Sequence, residues 1–389
     1  MALIFLSLFC GYYFAKFYPE GLNITYGNND FIEYWSSFFL FLHNQDPFNP
    51  ILMSEIQKSL GWQEAEPLMM HNPPWIFPIL GIFLFQDFKA ASVSWLIFNI
   101  SLIFLSTKIL IGTFTNIKIA TFIKSSLYIL PFIFYPTLLT LELGQLSILL
   151  FFGMSLLLYS INKNDPLLSA VAIIILSLKP HLYFLIILFV ILNRFKCKDL
   201  SFFAYLSTIF ILINITIILI TPNINNYYFT PINNMGLKID GINDFYTSTL
   251  TGILKFLTEV KFSYPLQKWS LLVIPMIGCG LALLKTYQAR AKGEEIFKIE
   301  QSKLISLMIF NYIISPYGWT FDFTILLIPI YYLILKSKDK KEQYISILFL
   351  IFSSILMLTP SLHVYNFWAP LCYYFFTTNY YLKSDENLP

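Results

Sequence analysis

Residues 200–220, which read LSFFAYLSTIFILINITIILI, decide the class of fold. The stretch carries no charge, and it reaches the ~20 apolar residues that a helix needs to cross a hydrocarbon core about 30 Å thick. Apolar runs of this kind recur from Leu3 to Leu382, and the whole chain is 57% hydrophobic and only 12% charged, against roughly 25% charged in soluble domains. The sequence therefore predicts an all-α polytopic membrane protein.

Twelve transmembrane helices are predicted along the chain. Their spans are 2–18, 90–111, 118–138, 145–160, 166–178, 181–193, 200–220, 266–285, 302–314, 321–335, 343–358 and 367–382. The first is a retained helix, because it lacks the basic start and the small-x-small cleavage site of a signal peptide. Pro74–Phe85 is predicted as a re-entrant or interfacial helix. No stretch remains for a separate soluble domain, so residues 1–389 form one predicted transmembrane domain.

The basic residues orient these spans. With twelve crossings, 17 of the 25 Lys and Arg residues fall on one side, which is the cytoplasm by the positive-inside rule. They are Lys108, Lys118, Lys124, Lys163, Arg194, Lys196, Lys198, Lys285, Arg290, Lys292, Lys298, Lys303, Lys336, Lys338, Lys340, Lys341 and Lys383. The opposite side holds the two long loops, 19–89 and 221–265. We predict a multi-pass protein of the cell (inner) membrane with an extracytoplasmic active face.

Histidines and tryptophans collect on that outer side, although the orientation came from Lys and Arg alone. They are His43, His71, His181 and His363, with Trp35, Trp62, Trp75, Trp95, Trp269, Trp319 and Trp368. Flat aromatic faces beside polar groups bind sugar rings and polyprenyl chains well. Anchoring of a folded outer surface at the membrane interface also explains the tryptophans, and both interpretations stay open.

The first outer loop begins with a predicted short helix from Asp30 to Leu42. Asp30 stands at its N-terminal end, where a carboxylate is either a helix N-cap or a general base for an acceptor hydroxyl. Glu33 is the only near carboxylate on this helix. No second carboxylate lies close enough in the sequence to indicate a pair of metal ligands. We predict no cofactor and no metal site, with a divalent ion left open.

Lys179-Pro180-His181 lies in an outer hairpin between two predicted spans. Lys179 is a lone cation on the side that lysines avoid, and an ionisable group at that depth is a functional-site hypothesis. A Lys and a His at a helix break suit a lipid phosphate, which needs positive charge and hydrogen-bond donors. The alternative is that Lys179 extends to ordinary anionic headgroups.

A third outer segment, residues 315–322, reads SPYGWTFD. Its Pro and Gly interrupt a helix, and the freed backbone groups survive at membrane depth only if they line a cavity or pack on protein. The Asn- and Tyr-rich loop 221–265 is predicted to be a lid or an acceptor-binding loop.

Six short segments, taken in chain order, carry a resemblance to a known family. They are Asp30-Phe31 with Tyr34, Asp46-Pro47-Phe48, Asn72-Pro73-Pro74, Gly144-Gln145, Lys179-Pro180, and Ser315-Pro316 with Trp319 and Asp322. Together they resemble the GT-C membrane glycosyltransferases, specifically glycosyltransferase family 87, the polyprenol-phosphate-mannose-dependent mannosyltransferases. The resemblance implies a GT-C-like fold and an inverting transfer of a sugar, mannose, from a polyprenyl-phosphate donor to a lipid-linked or envelope glycan acceptor.

The residue roles follow from this resemblance and from the segments above. Asp30 is the expected base, and Lys179 and His181 are expected to bind the donor phosphate. The expected substrate-binding residues are Glu33, Tyr34, Trp35, His71, Asn72, Gln145, Tyr317, Trp319, Asp322 and His363. In one departure, Phe321 stands where many members have a His, and His181 or His363 would have to compensate.

Two other function classes are alternatives. A transporter or flippase of lipid-linked sugars would also need a polar cavity, but it would be expected to show mid-membrane charges and internal repeats. A pseudoenzyme or assembly subunit on the same fold is the other alternative. A net charge of +3 does not indicate binding to nucleic acid. The predicted partners are the lipid-linked donor, the acceptor and membrane lipids. The protein is predicted to be a monomer.

Overall fold

The computed structural model describes residues 4, 7–9, 30–115, 121–226, 247–258, 273–281, 300–337, 339–358 and 363–385. In these ranges the regular structure is helical and no strand occurs. The α-helices are α1 Phe31–Leu42, α2 Pro50–Ser59, α3 Ile76–Leu84, α4 Phe88–Phe114, α5 Thr121–Ile133, α6 Tyr135–Leu143, α7 Ser147–Lys163, α8 Pro166–Leu176, α9 Pro180–Lys196, α10 Leu200–Ile220, α11 Leu250–Thr258, α12 Gln301–Ile314, α13 Leu327–Lys336, α14 Lys340–Met357 and α15 Trp368–Asp385. Short 3₁₀ helices cover Pro222–Asn226, Thr320–Leu326 and His363–Phe367.

Helices occur where the apolar runs predicted them, but twelve membrane crossings are not confirmed. Among the described residues, α4 and α10 alone are long and apolar enough to cross a membrane, or three spans if one bent helix pair counts. Most of predicted span 2–18, most of 266–285, and residues 227–246 and 259–265 of the predicted loop 221–265 lie outside the described residues. Left-handed residues, Asn164 (φ 50°) and Lys198 (φ 53°), follow the ends of α7 and α9, each of which has 17 residues.

The bent pair is α5 with α6, whose axes differ by 59°. Pro136 causes the break, because it has no N–H to donate and its ring clashes with the carbonyl one turn earlier. Ser354 of α14 satisfies the freed backbone: its hydroxyl accepts from Tyr135 N–H and donates to the Ile133 carbonyl, both at 2.8 Å. Such side-chain substitution lets a broken helix persist where water is scarce.

The surface of α10 supports a lipid environment. Large apolar side chains project from it along its length, and Leu200 is 79% exposed. In water this surface would be costly, whereas hydrocarbon tails solvate it without penalty. The membrane character predicted from residues 200–220 is therefore retained in the folded chain.

The chain forms two compact units, and the predicted single domain over 1–389 stays a prediction. The first unit is Met1–Leu105, Leu139–Leu149 and Ser207–Asp244. Within it, α1 packs on α2 and α3, and Leu40, Met53 and Met69 form a buried cluster. The predicted short helix after Asp30 and a helix within Pro74–Phe85 are thus present, and the re-entrant or interfacial placement of the second stays a prediction.

The second unit is Ser106–Leu138, Leu150–Leu206 and Phe245–Pro389. Its centre is α12, which packs on α9 and on α15, while α13 packs on α14. The predicted span 321–335 begins as the 3₁₀ helix Thr320–Leu326 and continues as α13. This start places the predicted Asp322 in a buried 3₁₀ turn.

Candidate active-site residues in the two units

In the first unit, Asp30, Gln145 and Tyr34 form a hydrogen-bonded chain. Gln145 Nε2 donates to Asp30 Oδ2 at 2.7 Å, and the Tyr34 hydroxyl donates to Gln145 Oε1 at 2.9 Å. Asp30 and Tyr34 lie four residues apart, which is one helical turn, so they share a face of the start of α1. Asp30 and Tyr34 from one predicted segment are thus joined to Gln145 from another.

A left-handed turn delivers Gln145 to this position. Gly144 has φ 71°, a conformation that glycine adopts without steric cost, and it ends α6. The Trp95 indole N–H donates to the Gly144 carbonyl at 2.8 Å, and the Gln145 N–H donates to the Thr140 carbonyl at 3.1 Å. The Phe31 ring stacks on the Trp95 ring, which ties the turn to the residue next to Asp30.

The helix-cap interpretation of Asp30 fails. Asp30 precedes α1, but it has helical dihedrals (φ −87°, ψ −26°) and makes no side-chain cap hydrogen bond. Good caps have extended dihedrals and accept from the second or third helical N–H, as Asn49 does at the start of α2. The Asp30 carboxylate is used by Gln145 instead.

Other predicted residues of the first unit occupy different places. The Trp35 indole N–H donates to the Gln86 carbonyl at 3.0 Å, and its ring stacks on Phe39. Trp95 is buried, so neither sugar stacking nor interface anchoring describes it. His71 and Asn72 precede α3, and burial lowers the pKa of His71 to about 4.

In the second unit, Lys179 and Asp322 form a buried ion pair. Lys179 Nζ lies 2.8 Å from Asp322 Oδ1, and the side chains are only 8% and 2% exposed. Asp322 Oδ2 accepts from the Trp319 N–H at 3.1 Å, which ties the carboxylate to the start of the 3₁₀ helix. Lys179 Nζ also lies 4.8 Å from the centre of the Phe321 ring.

This pairing contradicts the headgroup-anchor interpretation of Lys179, because the ammonium is turned into the protein. Removing two charges from water is costly, and a buried pair is tolerated when each charge finds a partner and further donors. The capping N–H and the aromatic face supply such partners here. Phe321, which carries no imidazole, therefore contacts the cation through its ring.

His363 lies beside this pair with a defined tautomer. Its Nδ1 accepts from the Thr320 N–H at 3.3 Å and lies 2.9 Å from Thr320 Oγ1, while Asn366 Nδ2 donates to that same Oγ1 at 3.0 Å. The neutral ring therefore carries its proton on Nε2. Burial lowers the pKa of His363, and the nearby Asp322 charge offsets this in part.

His181 packs on the interrupted segment that begins at Ser315. Its ring stacks on Tyr317 with centroids 3.8 Å apart, and the Ser315 hydroxyl donates to the carbonyls of both residues at 2.7 and 3.1 Å. Gly318 allows the backbone to pass close to Tyr312, because an added Cβ would lie 2.7 Å from the Tyr312 hydroxyl oxygen. The carbonyls at this break are thus satisfied by protein groups.

Six predicted residues meet in this second cluster: Lys179, His181, Tyr317, Trp319, Asp322 and His363. Sequence reasoning missed that Lys179 and Asp322 are partners. A signal was available, since a cation and a carboxylate that both interrupt apolar sequence are each too costly to bury alone. Within the described residues no group of three or more His, Cys, Asp or Glu could hold a metal ion.

A protein-family model described as glycosyltransferase family 87 matches residues 71–316. No curated protein and no solved structure matches the chain at a significant level. The matched region contains Gln145 and Lys179, whereas Asp30 precedes it and Asp322 follows it.

Proposed function

The chain belongs to glycosyltransferase family 87, and we propose that it transfers a sugar, mannose, from a polyprenyl phosphate to a lipid-linked or envelope glycan acceptor on the outer face of the cell membrane. The family supports glycosyl transfer in general. The donor, the acceptor, the mannose and the active face are our proposal. The observation that supports a base is the Asp30 carboxylate, which is held by Gln145 rather than by the helix end.

In the proposed reaction, an acceptor hydroxyl attacks the anomeric carbon of the donor sugar from the face opposite the phosphate. A new C–O bond forms, the bond from the anomeric carbon to the phosphate oxygen breaks, and the configuration inverts. Asp30 takes the proton of the acceptor hydroxyl. The bonding electrons leave with the polyprenyl phosphate, which therefore gains negative charge.

We assign the departing phosphate to Lys179 and His181. A Lys ammonium has three N–H donors, of which Asp322 takes one. A phosphate must compete with Asp322 for this cation, because the resting pair carries no net charge. The neutral His363 ring, with its proton on Nε2, is a further donor for the phosphate or the sugar.

The test is Asp30→Asn, assayed with radiolabelled polyprenyl-phosphate mannose and total membrane lipid extract as acceptor. Asn retains an oxygen that accepts from Gln145, and no cap is lost, so the variant should fold. It cannot take a proton, and turnover should fall by about 10²-fold or more. Donor binding, measured separately, should be retained.

Asp46→Asn is the matched control. Asp46 is in the same outer loop, and its carboxylate accepts from the Phe48 N–H at 2.9 Å, a contact that an Asn side chain reproduces. This variant should transfer sugar normally. Near-parental transfer by Asp30→Asn would overturn the base assignment and make Glu33 or Asp322 the next candidate. Movement of the labelled lipid across the membrane of proteoliposomes, without a glycosylated product, would favour the transporter alternative.

A further inference from the structure

We infer that Gln145 is a positioning residue for the Asp30 carboxylate, with Tyr34 as its second support, and not a ligand of the sugar. The inference rests on the proposed role of Asp30 as the base. Both residues had been expected from the sequence to bind substrate.

Both ends of the Gln145 amide are used inside the protein. Nε2 serves Asp30 and Oε1 serves the Tyr34 hydroxyl, and Gln145 and Tyr34 are 6% and 1% exposed. A sugar hydroxyl would have to displace one of these bonds from a buried amide. A ligand role therefore costs contacts that the folded protein already makes.

The orientation of the amide suits an ionised Asp30 carboxylate. With the amide reversed, Oε1 would face an ionised carboxylate oxygen at 2.7 Å, and two acceptors at that distance repel. The observed orientation places a donor there instead. This donor favours the ionised carboxylate, which is the form that can accept a proton.

The supports behind Gln145 restrict its movement. The Gly144 turn is held by the Trp95 indole, and Trp95 stacks on Phe31, the neighbour of Asp30. Tyr34 lies one turn after Asp30 on α1 and holds the other end of the amide. The carboxylate is thus oriented from two directions by buried groups, which is the support that a base needs from its surroundings.

The experiment compares Gln145→Leu and Tyr34→Phe in the same labelled-mannose assay across a range of pH. For Gln145→Leu, kcat should fall about 10-fold, and the acid limb of its pH profile should move up by about one pH unit, because the ionised carboxylate loses its donor. The donor KM should stay within about twofold. Tyr34→Phe leaves Gln145 in place. It should lower kcat and raise the acid limb as well, but by smaller amounts.

Gln57→Leu is the control for loss of a buried glutamine. Gln57 also uses both amide ends, donating to the Leu68 carbonyl at 2.7 Å and accepting from the Leu68 N–H at 2.9 Å. Its variant should lose stability without moving the acid limb. Gln145→Glu provides a second variant of nearly unchanged volume, and its added carboxylate should move the acid limb further up.

The outcomes separate this inference from the function on which it rests. If Asp30→Asn abolishes transfer but Gln145→Leu and Tyr34→Phe raise only KM, with an unmoved acid limb, the positioning role is wrong and Gln145 binds substrate. If Asp30→Asn transfers normally, the proposed base itself fails. An acid limb that moves in the Gln145 and Tyr34 variants, and not in Gln57→Leu, supports the inference.

Discussion

Replacing Lys179 by Met should destabilise the second unit strongly, because it leaves a buried carboxylate without its cation. The ion pair is 2.8 Å long and its side chains are 8% and 2% exposed, so both charges have left water. After the change, Asp322 retains the Trp319 N–H but loses the Lys179 ammonium. Breaking a buried pair in this way costs about 3–5 kcal/mol in the free energy of unfolding.

The double variant Lys179→Met with Asp322→Asn should recover most of this loss. The Asn side chain is neutral and still accepts from the Trp319 N–H, so no uncompensated charge stays buried. We expect the double variant to lie within about 1–2 kcal/mol of the parent. Asp322→Asn alone should also be destabilising, because it leaves the buried Lys179 without its carboxylate.

The assay is chemical denaturation of the purified protein in detergent, followed by tryptophan fluorescence. Lys303→Met is the matched control, since Lys303 pairs with Glu300 at 3.4 Å with side chains 53% and 44% exposed. Exposed pairs contribute about 0–1 kcal/mol. A Lys179→Met variant no less stable than Lys303→Met would refute the buried pair.

The same variants decide what Lys179 does in the reaction. If Lys179 binds the donor phosphate, the double variant should be folded but should need much more polyprenyl-phosphate mannose for half-maximal rate. If Lys179 serves only to neutralise Asp322, restoring stability should restore transfer. Lys179→Met alone cannot make this distinction, because misfolding and lost phosphate binding both reduce activity.

Three further predictions concern the first unit and the membrane orientation. Burial holds His71 neutral with a pKa of about 4 instead of 6.5, so stability should fall as the pH drops from 6.5 towards 4; thermal denaturation of His71→Gln should show a smaller fall, and an equal fall would contradict the burial. Gly144→Ala should cost about 1–2 kcal/mol at its φ of 71°, and Gly144→Asn less, because Asn tolerates this conformation; equal denaturation midpoints for both variants would count against backbone strain. In a variant without native cysteines, a Cys at Asn49 should react with an impermeant reagent from outside, and one at Lys340 only from the cytoplasm. Labelling of both positions from the same side would contradict the predicted topology.

The sequence by itself determined the membrane class, the helical segments and most of the residues worth testing. Uncharged runs such as residues 200–220 specify helices in lipid, because their backbone polar groups must be satisfied within the segment. Interruptions such as Gly144 and Pro316 marked where polar groups gather. These are local properties of consecutive residues, so the sequence alone is enough to identify them.

Only the tertiary structure decided which of these groups meet. Lys179 and Asp322 are 143 residues apart, and Asp30 and Gln145 are 115 apart, so no local spacing links either pair. A buried charge is stable only beside its partner, and the partner is chosen by how helices pack over long stretches of chain. That packing placed Lys179 in an ion pair, against the headgroup-anchor alternative, and joined the Asp30 carboxylate to a glutamine, against the helix-cap alternative.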